Sequence, residues 1–163
     1  MDQTCCRTSD ETMPHVKLRE QPGYEFTYRF TIQAVHINYR GHLGHDSIVQ
    51  ILKEARANMF RGLGISELDL GDGKTGVITG NAVVNYKSQG YIYQTLQVES
   101  QVGEIGPDVF TVFQRIKRDG HLVALAEAGL VGFDYKTRTT APIPETFNQA
   151  LAQYRKAKEQ NDG

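Results

Sequence analysis

One long amphipathic helix, with one strand before it and four after it, is the feature that most constrains how this chain can fold. From 24 to 35 the sequence alternates. Phe26, Tyr28, Phe30, Ile32 and Ala34 fall on one face, and Thr27, Arg29, Thr31 and Gln33 on the other. A period of two predicts a half-buried strand. Over 46–63 the period lengthens, and Ile48, Leu52, Ala55, Met59 and Leu63 form one apolar helical stripe. Asp46 or Ser47 stands where a side chain can cap the first turn, and Gly62 and Gly64 stop the helix. Strand-like runs, expected to be joined largely by hairpins, follow at 76–86, 91–102, 108–118 and 122–135. The last two meet at Asp119-Gly120, a favoured hairpin pair. The alanines and glycines of 122–135 leave room for something to pack closely, most simply the helix. A final helix is predicted over 142–158, with Glu145 near its start and Lys156 and Lys158 near its end. A sheet of about five antiparallel strands wrapped around the single striped helix buries that stripe, which makes the fold class α+β.

At 163 residues the chain is long enough for one domain with its own core, expected over 24–160, behind a flexible lead-in at 1–23. A net charge of -1 without a basic block gives no expectation of nucleic-acid binding. No apolar run approaches the ~20 residues that span a bilayer, so no membrane association is expected. The polar start lacks the pattern of a signal peptide, and the expected location is cytoplasmic. The cysteines, Cys5 and Cys6, are adjacent in this lead-in. Adjacent cysteines bridge only with strain, so free thiols are expected. No nucleotide-binding glycine loop is present, and no metal site or separate cofactor is expected.

The chemistry concentrates where the first strand turns into the helix. The segment Val35-His-Ile-Asn-Tyr-Arg-Gly-His-Leu-Gly-His-Asp46 brings polar and titratable groups to a glycine-containing loop that opens into the helix. The free N–H groups of a helix start suit a polarised carbonyl or an anion. His45 and Asp46 are candidate bases beside them, and Glu54, on the same helix, is a third candidate. Asp46 also reads as a helix cap, and Glu54 as a surface or intersubunit ion-pair partner.

Gly41-His42, followed by the helix with Glu54-Ala55-Arg56, resembles the signature of the hotdog-fold thioesterases of the 4-hydroxybenzoyl-CoA thioesterase-like group. A weaker match runs through Asn85-Tyr86, Tyr91 and Leu96-Gln-Val98. The resemblance implies an antiparallel sheet around a central helix, a homodimer or dimer of dimers, and hydrolysis of an acyl-CoA or acyl-carrier-protein thioester. Coenzyme A would then be part of the substrate rather than a cofactor. It also implies Asn38, His42, His45, Asp46 and Glu54 as catalytic candidates, and Tyr39, Gly41, Tyr86, Lys87 and Ser88 as substrate contacts. Relatives carry an aspartate where this chain has Asn38. An amide is neither a carboxylate nucleophile nor a base at neutral pH. The alternatives are a non-catalytic acyl-CoA-binding scaffold and, less favoured, a hydratase. Hydratases of this fold pair an aspartate with a histidine five residues on, and Ile37 stands five before His42. Arg56 is expected to brace the loop or the dimer.

Overall fold

A computed structural model describes residues 16–163. The element order is β1 (Phe26–Thr31), a 3-10 turn (Ala34–His36), α1 (His45–Gly62), β2 (Thr75–Tyr86), β3 (Thr95–Ile105), β4 (Val109–Arg118), β5 (His121–Asp134), β6 (Thr139–Thr140) and α2 (Glu145–Asn161). The strands form one antiparallel sheet in the order β1-β3-β4-β5-β2, with β6 added to β5. The expected sheet around a helix is therefore present, with the extra terminal helix.

The periodicities carry through to burial. Phe26 and Ile32 are buried while Thr27, Arg29 and Thr31 are exposed. On α1 the buried set is Ser47, Ile48, Ile51, Leu52, Ala55, Met59 and Phe60. The first half of α1 packs with Leu96, Val98, Ile116, Ala124 and Ala126 in one core cluster. The second half packs with Phe110, Leu130 and Phe147 in another. Phe147 of α2 stacks on Phe110 with ring centroids 4.5 Å apart, and Phe60 closes the group at 6.3 Å. At the β4–β5 turn Asp119 and Gly120 both take positive φ, 48° and 78°, as a twist-matched two-residue hairpin requires.

Four expectations need correction. The first strand ends at Thr31, because Ala34 and Val35 belong to the 3-10 turn. Residues 91–94 are a turn, and the strand begins at Thr95 and runs on through Gly103 across a register shift between Val102 and Ile105. β2 is not hairpin-joined to β3; it crosses to pair with β5. Two of the β5 glycines face other neighbours than the helix. A β-carbon on Gly132 would lie 2.2 Å from the Ala141 carbonyl, and one on Gly129 2.2 Å from Asn81 Oδ1.

Residues 16–23 belong to the stretch expected as a lead-in, and there the chain is held to the sheet. Leu18 N–H donates to Asn85 Oδ1 (2.8 Å), and Asn85 Nδ2 donates to the Val16 carbonyl (3.0 Å). Arg115 joins Glu20 (2.8 Å) and Glu99 (2.5 Å), and its guanidinium lies over the Tyr24 ring. Cys5 and Cys6 lie outside the described residues.

Glu99 gives this fold a pH dependence. The hydrogen bond from Arg115 holds its carboxyl below the usual range. A carboxyl depressed in the folded state stabilises above its unfolded value of ~4.3, and that contribution disappears as pH falls through the lower folded value. Glu99→Gln is expected to lose less stability than the parent between about pH 6 and about pH 3, read by thermal melts across that window. Equal acid losses in both proteins would show that Glu99 plays no part.

Candidate active site

The loop between β1 and α1 is a tight, self-bonded turn. Ile37 and Leu43 form an antiparallel bridge. Within it Asn38 N–H donates to the His42 carbonyl (2.9 Å) and Gly41 N–H to the Asn38 carbonyl (3.0 Å). Gly41 has φ 84°, a conformation glycine adopts without a side-chain clash. The Asn38 side chain shapes this turn, since its Oδ1 accepts the Arg40 N–H at 2.9 Å. Its NH2 group is left as the donor. His42 Nδ1 lies 3.2 Å from the Leu43 carbonyl. A carbonyl only accepts, so this contact puts the proton on Nδ1 and leaves Nε2 as an acceptor. Tyr39 and Arg40 stand out at the tip, with the Arg40 guanidinium 5.6 Å from the Tyr39 ring centre.

The helix entry differs from the expectation. Gly44 is the N-cap, and no side chain caps the helix. Asp46 and Ser47 are therefore inside the first turn, not at its cap. The reason lies in the loop: Gly44 N–H is tied to the His36 carbonyl (3.0 Å) and Leu43 N–H to the Gly90 carbonyl (2.8 Å), which moves the helix start back by one residue. The first bond in the helix runs from Ile48 N–H to the Gly44 carbonyl, so the N–H groups of His45, Asp46 and Ser47 precede it. Asp46 folds back over this start. A β-carbon on residue 44 would lie 2.3 Å from Asp46 Oδ1, a space only glycine leaves open.

Tyr86, the last residue of β2, closes the group. Its ring meets the His45 ring edge-on at 6.3 Å. Burial, and after it the charge of Asp46, pushes the Tyr86 phenol up, so it stays protonated as a donor at neutral pH. Lys87 and Ser88 follow, and both backbone N–H groups donate to the Val123 carbonyl, at 2.8 and 3.2 Å. The Ser88 hydroxyl donates to the Leu122 carbonyl (2.8 Å), while the Lys87 side chain is exposed. Asn38, Tyr39, Gly41, His42, His45, Asp46, Tyr86, Lys87 and Ser88 thus lie on two neighbouring loops and the helix start. Glu54 does not join them. It is exposed on α1, eight residues beyond Asp46, or ~12 Å along the helix axis.

Three structural residues carried a weaker signal in the sequence. Gly90 allows the two loops to meet: a β-carbon there would lie 2.9 Å from Ile32 Cδ1. Arg118 holds the same loop through the Gln89 carbonyl (2.6 Å) and Gln94 Oε1 (3.2 Å). Arg56, expected as a brace, donates to Glu67 at 2.6 Å and to Thr79 at 3.3 Å, joining α1 to the 65–70 turn and to β2. A lone glycine before an aromatic run, and arginines on a strand end and a helix flank, do not reveal such partners in advance. Among the described residues no group of three or more histidines, cysteines or acids is placed to hold a metal. No helix among them is long and apolar enough to cross a membrane.

Solved structures with this fold include a 1,4-dihydroxy-2-naphthoyl-CoA thioesterase from Synechocystis. It is 18% identical with TM-score 0.70, over 78% of this chain and 95% of that one. A gentisyl-coenzyme A thioesterase is 18% identical with TM-score 0.68, over 76% and 98%. A protein from Staphylococcus aureus solved in complex with CoA is 19% identical with TM-score 0.72, over 80% and 84%. At such identities these likenesses show the fold alone. No curated protein matches the sequence significantly. The thioesterase-like superfamily, however, matches residues 32–151, from the end of β1 into α2, and this chain belongs to that superfamily.

Proposed function

We propose that this protein hydrolyses an acyl-CoA or acyl-carrier-protein thioester at the junction of the 37–44 loop and the start of α1. The observation that carries the reading is the helix start without a side-chain cap, with the Asp46 carboxylate folded against Gly44 beside it. Membership of the superfamily supports thioester hydrolysis in general. The two CoA thioesterases of the same fold, and the relative solved with CoA, support a CoA thioester as substrate.

Each group then has a step. The thioester carbonyl oxygen lies toward the N–H groups of His45 and Asp46, where negative charge develops as water attacks. Asp46 takes a proton from that water as its oxygen bonds to the carbonyl carbon. The C–S bond breaks, the thiolate leaves and is protonated, and the acid is released. The Asn38 NH2 and the His42 Nε2 hold water and thioester in register. Tyr86 donates to the Asp46 carboxylate or to the incoming oxygen, and Lys87 faces the anionic tail of the substrate. Purified protein offered a panel of acyl-CoAs with a thiol-reactive dye is expected to release thiol from at least one class. Binding of acyl-CoA without thiol release would instead favour the scaffold reading, to which the structural use of the Asn38 side-chain Oδ1 lends support.

The reading includes a homodimer or dimer of dimers. β2 is a twelve-residue strand at the edge of the sheet, where Val77 N–H is taken by the Glu67 carbonyl but Ile78 and Tyr86 are 37% and 50% exposed. Soluble proteins cover such edges, and pairing two β2 strands does so while bringing a second copy next to Tyr86. Sedimentation at micromolar concentration is expected to give two or four copies of the 18.3 kDa chain. A monomer alone would remove the shared-edge arrangement.

A further inference from the structure

The start of α1 is tied in two directions. The bond from Gly44 N–H to the His36 carbonyl stays within the 32–44 stretch, and the bond from Leu43 N–H to the Gly90 carbonyl leaves it. Gly44 is the N-cap, so the Gly90 carbonyl helps set where the helix begins and where the N–H groups of His45 and Asp46 point. Gly90 lies in the 87–94 segment, which has no helix or strand of its own. A glycine has no side chain to limit its rotation. A larger residue cannot stiffen this position, because a β-carbon on Gly90 would lie 2.9 Å from Ile32 Cδ1. Its neighbours must hold it instead.

A peptide unit stands on each side of the Gly90 α-carbon, and one side chain reaches both. The first unit joins the Gln89 carbonyl to the Gly90 N–H, and Arg118 Nη1 donates to that carbonyl at 2.6 Å. The second joins the Gly90 carbonyl to the Tyr91 N–H. Tyr91 N–H donates to Gln94 Oε1 at 2.9 Å, and Arg118 Nη1 donates to the same oxygen at 3.2 Å. The guanidinium thus fixes the unit before Gly90 directly, and the unit after it through the Gln94 side chain. Arg118 is half-buried, and among the described residues no carboxylate is ion-paired with it. The cation is directed at these two neutral oxygens, and hydrogen bonds from a charged donor are the stronger kind.

We infer that Arg118 is a positioning residue for the proposed reaction: through Gln89, Gln94 and the Gly90 carbonyl it holds the N–H groups at the start of α1 in line with the thioester oxygen. The inference rests on the proposed thioester hydrolysis and adds a residue that touches neither the water nor the carbonyl. Its effect is geometric. The N–H groups stabilise negative charge that develops only as water attacks. A displaced helix start therefore raises the barrier without loosening the bound substrate, and the loss falls on kcat rather than KM.

The test uses three variants. Arg118→Met keeps the aliphatic stem and removes the donors. Gln94→Leu removes the shared oxygen, and Gln94→Glu keeps an acceptor for both the guanidinium and the Tyr91 N–H. On the acyl-CoA that the thiol-release panel shows to be turned over fastest, kcat is expected to fall about tenfold to a hundredfold in Arg118→Met and Gln94→Leu, with KM within about threefold. Gln94→Glu is expected to recover kcat to within about threefold of the parent. A parental kcat in Arg118→Met overturns the inference and leaves the proposed function intact. A raised KM with kcat unchanged also overturns it, since Arg118 would then be a substrate contact. A Gln94→Glu protein as slow as Gln94→Leu overturns it too. Amide hydrogen exchange reads the same link without catalysis. The Leu43 amide is expected to exchange about tenfold faster in Arg118→Met. The Ile143 amide, bonded to the Pro107 carbonyl (2.8 Å) before the opposite end of β4, should keep its parental rate. Equal protection of Leu43 in the two proteins overturns the inference, as does an equal loss at both amides. If the parent hydrolyses no thioester, the proposed function fails, and the exchange of Leu43 alone decides whether Arg118 holds the helix start.

Discussion

Asp46→Asn is expected to lower kcat by roughly 10²–10⁴-fold, the usual worth of a positioned general base. Asparagine has the same shape and still accepts hydrogen bonds, but it cannot hold the proton of the attacking water. Stability should change little. Gly44 rather than Asp46 caps α1, so what is lost is the favourable placement of an acid in the first turn, about 0.3–1 kcal/mol. A large rate loss with a near-parental melting curve therefore reports chemistry. His45→Ala and Glu54→Gln are the comparison. His45 should cost less, since its ring edge rests on Tyr86 and positions it. Glu54 should cost nothing if each site is built from one chain, because it stands two turns further along α1. A silent Asp46→Asn with a dead Glu54→Gln would mean that the partner's helix supplies the base. Asn38→Asp is informative in the other direction. An aspartate oxygen can still accept the Arg40 N–H, so the turn survives and a carboxylate is added, with activity expected to be kept or raised. Unchanged rates in every variant would favour the scaffold.

Much of this was legible in the sequence because the decisive signals are periodic. The two-residue alternation around Phe26–Thr31 and the stripe Ile48–Leu52–Ala55–Met59 each name a buried face. Together they allow little but a sheet around a helix. Asp119-Gly120 fixed a turn for a local steric reason. What the sequence left open depends on contacts between distant segments. The helix start lies at His45 because Gly44 and Leu43 are bonded to His36 and Gly90, and the Gly90 bond spans two elements. The turn at 91–94 hides in a run of β-forming residues, Tyr-Ile-Tyr, whose propensity is overridden when Tyr93 and Ile32 pair. The crossover of β2 to β5 has no local signature at all.

The site divides in the same way. Its loop and helix residues were legible because they are consecutive. Tyr86 owes its place beside His45 and Asp46 to the sheet, which carries the end of β2 to the start of α1. Glu54 was a candidate from its position on the same helix as Asp46, but helical rotation and rise separate the two carboxylates. Only a second copy of the chain could bring such an acid back to the site.

Leu52→Asp is expected to leave no cooperatively folded protein at room temperature. Leu52 is 5% exposed and sits in the cluster with Ile48, Ile51, Leu96 and Val98. Its backbone carbonyl accepts Gln114 Nε2 at 2.9 Å, and Gln114 also bonds the Ser100 hydroxyl, so a small polar network is registered on this turn of α1. Removing the side chain alone, in Leu52→Ala, should cost about 2–5 kcal/mol. A carboxylate adds the cost of a buried group with no cation to meet it. It must either take up a proton and remain a poorly paired polar group, or draw water into the core. Against a total stability of about 5–15 kcal/mol, that sum removes most or all of the margin. Lys53→Asp, one residue on and exposed, is the control and should lie within about 0.5 kcal/mol of the parent. Circular dichroism melts of the three variants separate the cases. A Leu52→Asp protein that melted like the parent would mean that α1 is not the core around which this sheet is wrapped.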